Sequence, residues 1–361
     1  MKVSGKRSLF YIIPASIFVS VFLLLFAEVA LRMAGFRFDT QPRYMEFNYP
    51  NPHELHEIFE PDSIAFWRLK PGVKMGDNIE PVNSKGFRGP EFSKDKPAGV
   101  RRVVTLGDSV TFGGALSYPR LLADCLDGGW EVVNAGEPGY SVFQGLKLFE
   151  SRIAPIKPDV VTIMFGWNDH WLARGITDSR QSAMKSSEMP GLINSLKELR
   201  IYQFINYIVA HNAGSADKNA PVTYRVPIDE YRVVIEKLVD TARGSGAQVV
   251  LITTPSALDV GKVPAYFAEI GFIKRIEGES EKETALRLNR LHSSYNNVVK
   301  DVASGKGAIL VDIESQWRAR GTRALFRDPA QDVVHPNEEG YRLIGATLCD
   351  TIKSIHFGQV P

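Results

Sequence analysis

The stretch Val103-Val104-Thr105-Leu106-Gly107-Asp108-Ser109-Val110-Thr111-Phe112-Gly113 decides the fold. Four residues of strand-forming, mostly β-branched character run straight into a Gly-Asp-Ser turn. A strand ending in glycine and then a small hydroxyl residue delivers that hydroxyl to the carboxyl edge of a sheet. Ligands bind at that edge in open α/β folds. Ser109 is on this ground a candidate nucleophile. The alternative is that Asp108 and Ser109 simply cap the next helix.

Outward from the turn, short apolar runs alternate with longer helical patterns. Arg102–Leu106, Glu131–Asn134, Val160–Phe165, Gln248–Thr253 and Ala308–Asp312 read as strands. Tyr231, Val234, Leu238 and Ala242 recur at the spacing of a helix with one buried face, as do Leu288, Leu291, Tyr295, Val298 and Val302. Such alternation implies βαβ units and a mostly parallel sheet covered on both faces. The expected fold class is therefore α/β, a three-layer α/β/α domain with a five-stranded sheet, over residues 100–361. Two stretches, about 170–228 and 255–307, exceed an ordinary connection, and inserts of this length commonly form lids or substrate-binding elements. The first contains Ile201–Ile208, a helical pattern that either covers the site or adds to the core. There is no Gly-x-Ser-x-Gly elbow, no Gly-x-x-x-x-Gly-Lys loop and no Gly-x-Gly-x-x-Gly, which sets aside the simple nucleotide-binding readings and the ordinary α/β-hydrolase.

Composition narrows the class further. A hydrophobic content of 44% with 23% charged residues is enough for a substantial core. The net charge of +2, with no basic stripe interleaved with aromatics, argues against a nucleic-acid partner. Two cysteines, Cys125 and Cys349, are too few for a zinc site or a disulfide framework.

Residues 1–35 read as a short cytoplasmic tip and a membrane anchor. Lys2, Lys6 and Arg7 precede an uncharged run from Leu9 to Ala27. As a helix that run spans roughly 28 Å, close to the ~30 Å hydrocarbon core of a bilayer. It is longer than a signal-peptide core and no small-x-small cleavage site follows it. Glu28 and Arg32 are spaced for an intrahelical ion pair at the membrane surface. The basic residues ahead of the span place the amino terminus inside and the body outside. The expected location is the cell membrane, single-pass, with the main domain extracytoplasmic.

Residues 36–99 hold eight prolines between Pro42 and Pro97, among them Tyr44, Phe47, Tyr49, Phe59, Phe66 and Trp67. Proline at this density forbids long helices and central strands, while so many aromatics argue against disorder. An irregular extension packed on the main domain is expected. His53 and His56 fall one residue short of a zinc-protease His-Glu-x-x-His, so a surface or packing role is expected for them. Asn83–Arg88 is turn-rich, and its composition discloses no role.

Three further motifs fall where a parallel sheet would bring them beside Ser109. The second strand ends in Asn134-Ala135-Gly136-Glu137-Pro138-Gly139-Tyr140-Ser141, where a glycine can present a bare N–H to a ligand. The third ends in Gly166-Trp167-Asn168-Asp169, whose Asn168 offers an NH₂ donor to a developing oxyanion, unless the pair only caps a helix. Near the end, Asp332-Val333-Val334-His335-Pro336-Asn337 puts an acid and a histidine three apart on one loop. The carboxylate can fix the imidazole tautomer while the other nitrogen faces a nucleophile. Pro336 suits the first turn of the final helix.

With these four blocks in order, the chain resembles the SGNH hydrolases, also called the GDSL esterase/lipase family. The matching residues are Gly107-Asp108-Ser109, the glycine block Asn134-x-Gly136-x-x-Gly139, Gly166-x-Asn168-Asp169 and Asp332-x-x-His335-Pro336. Val110 stands where the family name has leucine. The anchor and Asn83–Arg88 look like those of membrane-tethered bacterial members. The resemblance implies a flavodoxin-like sheet and a serine esterase working through an acyl-enzyme. Ser109, His335 and Asp332 would be catalytic, the Ser109 N–H, Gly139 N–H and Asn168 amide would form the oxyanion hole, and no metal or cofactor would be needed.

The expected substrate is an acylated small molecule or polysaccharide, such as an acetylated envelope glycan. An O-acyltransferase using the same site and a non-catalytic glycan-binding or assembly protein are the alternatives. If the body lies outside the cytoplasm, Cys125 and Cys349 could pair, since the helices carrying them commonly share a face of such a sheet. Against this, the first of these helices starts late, at Pro119, and buried free cysteines are common, so free thiols are the favoured reading.

Overall fold

The β-branched runs form the central strands in a computed structural model that describes residues 4–37, 57–126, 128–173, 177–187, 196, 199–212, 223–258, 263–269 and 272–357. Among these residues the strands are β1 (Phe59–Asp62), β2 (Phe66–Leu69), β3 (Arg101–Gly107), β4 (Trp130–Gly136), β5 (Val160–Met164), β6 (Leu172–Ala173), β7 (Thr223–Tyr224), β8 (Gln248–Ile252) and β9 (Ile309–Val311). Five of them form one parallel sheet in the order β4-β3-β5-β8-β9. The register sets Gly107 of β3 level with Gly136 of β4 and Met164 of β5. After β3 the chain steps to β4 on one side, then crosses back to β5 on the other. The carboxyl ends of β3 and β5 thus flank the switch point at which such sheets open a crevice.

Alternate side chains on each strand face opposite ways, and each face builds its own core. Val104, Leu106, Val133, Val161, Ile163, Val249 and Leu251 bury against helices Val142–Leu148 and Ile228–Gly244 and the later part of helix Glu281–Lys306. On the other face Val103, Val160, Met164, Val250 and Ile252 bury against helices Tyr118–Leu126 and Glu338–Lys353. The result is the three-layer α/β/α architecture. Ahead of it, β1 and β2 pair as an antiparallel hairpin, and Phe59, Phe66, Trp67, Leu69, Val82 and Phe87 join the core that holds Val142 and Phe143. Residues 38–56, with Tyr44, Phe47, Tyr49, His53 and His56, lie outside the described residues.

Two compact units account for the chain, one of Met1–Arg43 with Ala183–Ala220 and one of Tyr44–Ser182 with Pro221–Pro361. In the first, helix Ser4–Met33 is long and apolar enough to cross a membrane, with mean hydropathy 2.2 over Pro14–Met33. The Glu28–Arg32 pair forms at 2.7 Å. The Ile201–Ile208 run lies in helix Arg200–Asn212 of the same unit, where Glu28 Oε2 accepts from the Ile201 N–H at 2.9 Å and Phe36 meets Phe204 and Tyr207 edge-on.

One expectation is corrected. Pro336 is not in the first turn of the final helix, which begins at Glu338 with Asn337 as its N-cap. The Asn337 side chain accepts from the Gly340 N–H at 3.0 Å, a cap that proline cannot supply, and Pro336 forms a bridge with Phe326 instead.

The free-thiol reading of the cysteines is also corrected, by helix packing. Helices Tyr118–Leu126 and Glu338–Lys353 lie together on one face of the sheet, and a Cys125–Cys349 disulfide joins them at a Cα–Cα distance of 6.3 Å. The two cysteines are 224 residues apart in sequence, so the bridge constrains a very long loop of the unfolded chain. Cys349→Ser is expected to cost about 2–4 kcal/mol of stability. Thermal unfolding with and without reductant checks this; a midpoint unmoved by both reduction and substitution would contradict it.

Candidate active site

The turn after β3 passes close to its neighbours. A Cβ on Gly107 would lie 2.0 Å from Thr111 Oγ1 and 2.7 Å from the Met164 carbonyl, so glycine alone permits the close passage. Asp108 then caps the short helix Ser109–Phe112, its Oδ1 accepting from the Val110 N–H at 2.9 Å. The capping alternative thus holds for Asp108 and fails for Ser109. The Ser109 hydroxyl instead donates to His335 Nε2 at 2.8 Å, and His335 Nδ1 donates to Asp332 Oδ2 at 2.8 Å. The carboxylate assigns the ring proton to Nδ1, which leaves the Nε2 lone pair facing the hydroxyl.

The His335 loop is fixed from several directions. Asp332 Oδ1 accepts from the Val334 and His335 N–H groups at 2.9 and 3.0 Å, which folds the loop back on its own acid. Val333 is fully buried, with its carbonyl bound by the Ala257 N–H at 3.0 Å, and the Asn337 N–H donates to the Leu325 carbonyl. The His335 side chain nevertheless keeps 42% of its surface exposed.

The electrostatics favour a proton-accepting imidazole. Burial opposes the imidazolium, but the hydrogen bond and charge of Asp332, aided by the charge of Asp108, outweigh it and raise the His335 pKa above its ordinary value. For Asp332, burial is likewise outweighed, here by the His335 bond and charge and the two backbone N–H groups, and its carboxyl lies below the usual range. Burial pushes Asp108 the other way, up to about 6, against the pull of the Val110 N–H.

The remaining candidates converge on the same edge. Gly139 adopts φ +80° in the loop after β4, a conformation suited to glycine. Among the described residues neither its N–H nor that of Ser109 donates to a protein acceptor. Asn168, after β5, donates from Nδ2 to Asp108 Oδ2 at 3.1 Å and to the Tyr140 carbonyl at 3.0 Å. It thereby stitches the three strand ends together. With both amide protons engaged, service to an oxyanion requires one of those bonds to be shared. Asp169 does cap a helix, though not its own: its Oδ1 accepts from the Val142 N–H at 2.8 Å.

Arg88 was not singled out from the sequence, although its turn was. Asn83 Oδ1 accepts from the Lys85 and Phe87 N–H groups and closes that turn. The buried Arg88 guanidinium then donates to the Phe112 and Gly113 carbonyls at 2.6 and 2.9 Å, at the end of the Ser109 helix. The signal available beforehand was an arginine in a turn with no evident partner. Among the described residues no group of three or more His, Cys, Asp or Glu side chains could hold a metal ion.

A fold with a hydroxyl, imidazole and carboxylate aligned at its carboxyl edge, and a glycine and an asparagine beside them, defines an acyl-transferring hydrolase class. The chain belongs to the GDSL-like lipase/acylhydrolase family, whose profile matches residues 105–343, and its chemistry is ester-bond hydrolysis. It is similar to the solved lipase/acylhydrolase from Enterococcus faecalis, at 19% identity and TM-score 0.42, covering 70% of this chain and 96% of that one. It is also similar to the acetylxylan esterase Axe2 from Geobacillus stearothermophilus, at 19% identity and TM-score 0.41, covering 70% and 94%. An acetyl xylan esterase, AlAXEase, aligns at 16% identity and TM-score 0.43, covering 70% and 99%. No curated protein matches the chain by sequence.

If His335 must be neutral to work, kcat/KM falls as pH drops through a value above the 6.5 of an ordinary imidazole. Asp332→Asn removes the group that stabilises the imidazolium and is expected to move the inflection downward. A pH profile of both proteins checks the sign, and an inflection that stays put or rises in the variant would contradict it.

Proposed function

We propose that this protein is a serine esterase that removes a small acyl group, acetyl in the first instance, from an envelope glycan or a similar ester. Ser109 Oγ attacks the acyl carbonyl while His335 Nε2 takes its proton. The imidazolium, held by Asp332, then protonates the departing alcohol, and water activated by His335 releases the acid from the acyl-enzyme. The Ser109 and Gly139 N–H groups and the Asn168 amide receive the oxyanion. The observation that carries this reading is the unbroken row from Ser109 through His335 to Asp332, at 2.8 Å for each bond.

Two features support the substrate class. The exposed edge of His335 suits an acyl group presented on a bulky polymer better than a fatty chain that needs an enclosed apolar tunnel. The apolar amino-terminal helix and the Cys125–Cys349 disulfide both favour an anchored protein facing an oxidising, extracytoplasmic compartment.

Hydrolysis of p-nitrophenyl esters of increasing chain length tests the assignment. Acetate is expected to be the best substrate, Ser109→Ala to lose nearly all turnover, and Asn168→Ala to lose on the order of 10²–10³ in kcat. Undiminished activity in Ser109→Ala would refute the nucleophile, and a preference for long chains would refute the acyl class. Adding a polysaccharide acceptor separates water from a sugar hydroxyl as the second nucleophile: free acetate marks the esterase, acetylated polymer the transferase.

A further inference from the structure

The Gly139 donor has a mechanical problem. A glycine, here at φ +80°, has wide φ and ψ freedom of its own, so its two flanking peptides can swing unless something else holds them. Both flanking carbonyls are held. Trp67 Nε1 donates to the Pro138 carbonyl at 3.3 Å, and Arg225 Nη1 donates to the Gly139 carbonyl at 2.6 Å. The first contact matters most, because the Pro138 carbonyl and the Gly139 N–H belong to one planar peptide and point in opposite directions. Fixing the carbonyl aims the N–H.

Neither holder comes from the five-stranded sheet. Trp67 lies on β2 in the proline-rich extension, and Arg225 follows β7, which pairs with β6 at the base of the first insert. Both are buried to 1% exposure. The Arg225 Nη2 also donates to Gln144 Oε1 at 2.5 Å and to Asp178 Oδ2 at 2.9 Å, and Ser141 Oγ donates to the same Asp178 oxygen at 2.6 Å. The guanidinium sits over the Trp67 ring at 5.8 Å, and Trp67 meets Tyr140 edge-on at 5.6 Å. The Tyr140 hydroxyl donates to the Trp67 carbonyl, and the Leu69 N–H to Glu137 Oε2 at 3.2 Å. Next to Trp67, Phe66 takes φ +74°, a conformation a bulky side chain adopts only when its surroundings impose it. A buried ion pair is costly to desolvate, and what this one fastens is the loop Glu137–Tyr140.

We propose that Trp67 and Arg225 are positioning residues that clamp the Pro138–Gly139–Tyr140 backbone so that the Gly139 N–H serves as a preorganised oxyanion donor. This rests on the reading of Ser109 as nucleophile. The clamp acts on the transition state: the donor is wanted where charge develops on the acyl oxygen, and substrate binding makes little use of it.

Trp67→Phe keeps an aromatic ring in place and deletes one N–H, and Arg225→Lys keeps a cation opposite Asp178 while removing the fork that spans Gly139 and Gln144. With the full-length protein and p-nitrophenyl acetate, Trp67→Phe is expected to lower kcat about tenfold to a hundredfold with KM within about twofold. The rate of covalent labelling by a fluorophosphonate should fall in parallel, and thermal unfolding should confirm that the variant is folded. Arg225→Lys should retain more kcat than Arg225→Met. A folded Trp67→Phe protein with kcat within about twofold of the parent, or a loss confined to KM, would overturn the clamp. Ser109→Ala run alongside separates the two claims. If it is inactive while Trp67→Phe is unimpaired, only the clamp falls; if it stays active, the nucleophile assignment falls and the clamp with it.

Discussion

The Ser109, Gly139 and Asn168 side of the candidate site depends on three parallel strands ending at one level. Gly107, Gly136 and Met164 sit side by side in register, so whatever follows each of them emerges at the same edge. Asp108 and Ser109 follow the first, Glu137–Tyr140 the second, and Asn168 the third. A slip of one residue in any strand would turn its side chains to the other face and remove its loop from the cluster. The constraint is enforced at Gly107, where no side chain fits between Thr111 and the Met164 carbonyl.

On that base the polar groups form one connected network. Asn168 bonds both Asp108 and the Tyr140 carbonyl, Asp108 caps the Ser109 helix, and Ser109 leads through His335 to Asp332. Such a network rigidifies a site only when its members are satisfied. Segments outside the sheet contribute to that. Arg88 binds the carbonyls at the end of the Ser109 helix, and Trp67 and Arg225 bind those around Gly139. The extension and the base of the first insert therefore bear on the site chemically, through hydrogen bonds to backbone whose position decides where donors point.

Much of this was legible in the sequence because it is local. The five central strands are β-branched runs, and their ends fall within two residues of the expected positions, since pairing extends a strand until its neighbour stops. Ser109, Gly139 and Asn168 could be grouped because parallel topology sends the ends of β3, β4 and β5 to one edge, whereas Asp332 and His335 reach it on the loop ahead of the final helix and were grouped by their own spacing. Other features were less legible. The Trp67 and Arg225 contacts to the Gly139 loop join residues 71 and 86 apart, and nothing in the spacing of an indole and a guanidinium announces a carbonyl partner. The cysteine bridge could be foreseen only as a possibility, because the shared face places both helices together but their rotation on the sheet decides whether the sulfurs meet. Pro336 was placed in the helix because proline suits a first turn, whereas the Asn337 cap starts the helix after it.

The central claim is that the Ser109 hydroxyl is the acyl acceptor of an ester hydrolase. Its most direct test is peptide mapping by mass spectrometry after reaction of the full-length protein with a fluorophosphonate. A single adduct on the peptide carrying Ser109, with hydrolysis lost in proportion to labelling, is the expected result. An adduct on any other residue, or complete loss of hydrolysis with Ser109 unmodified, would contradict it.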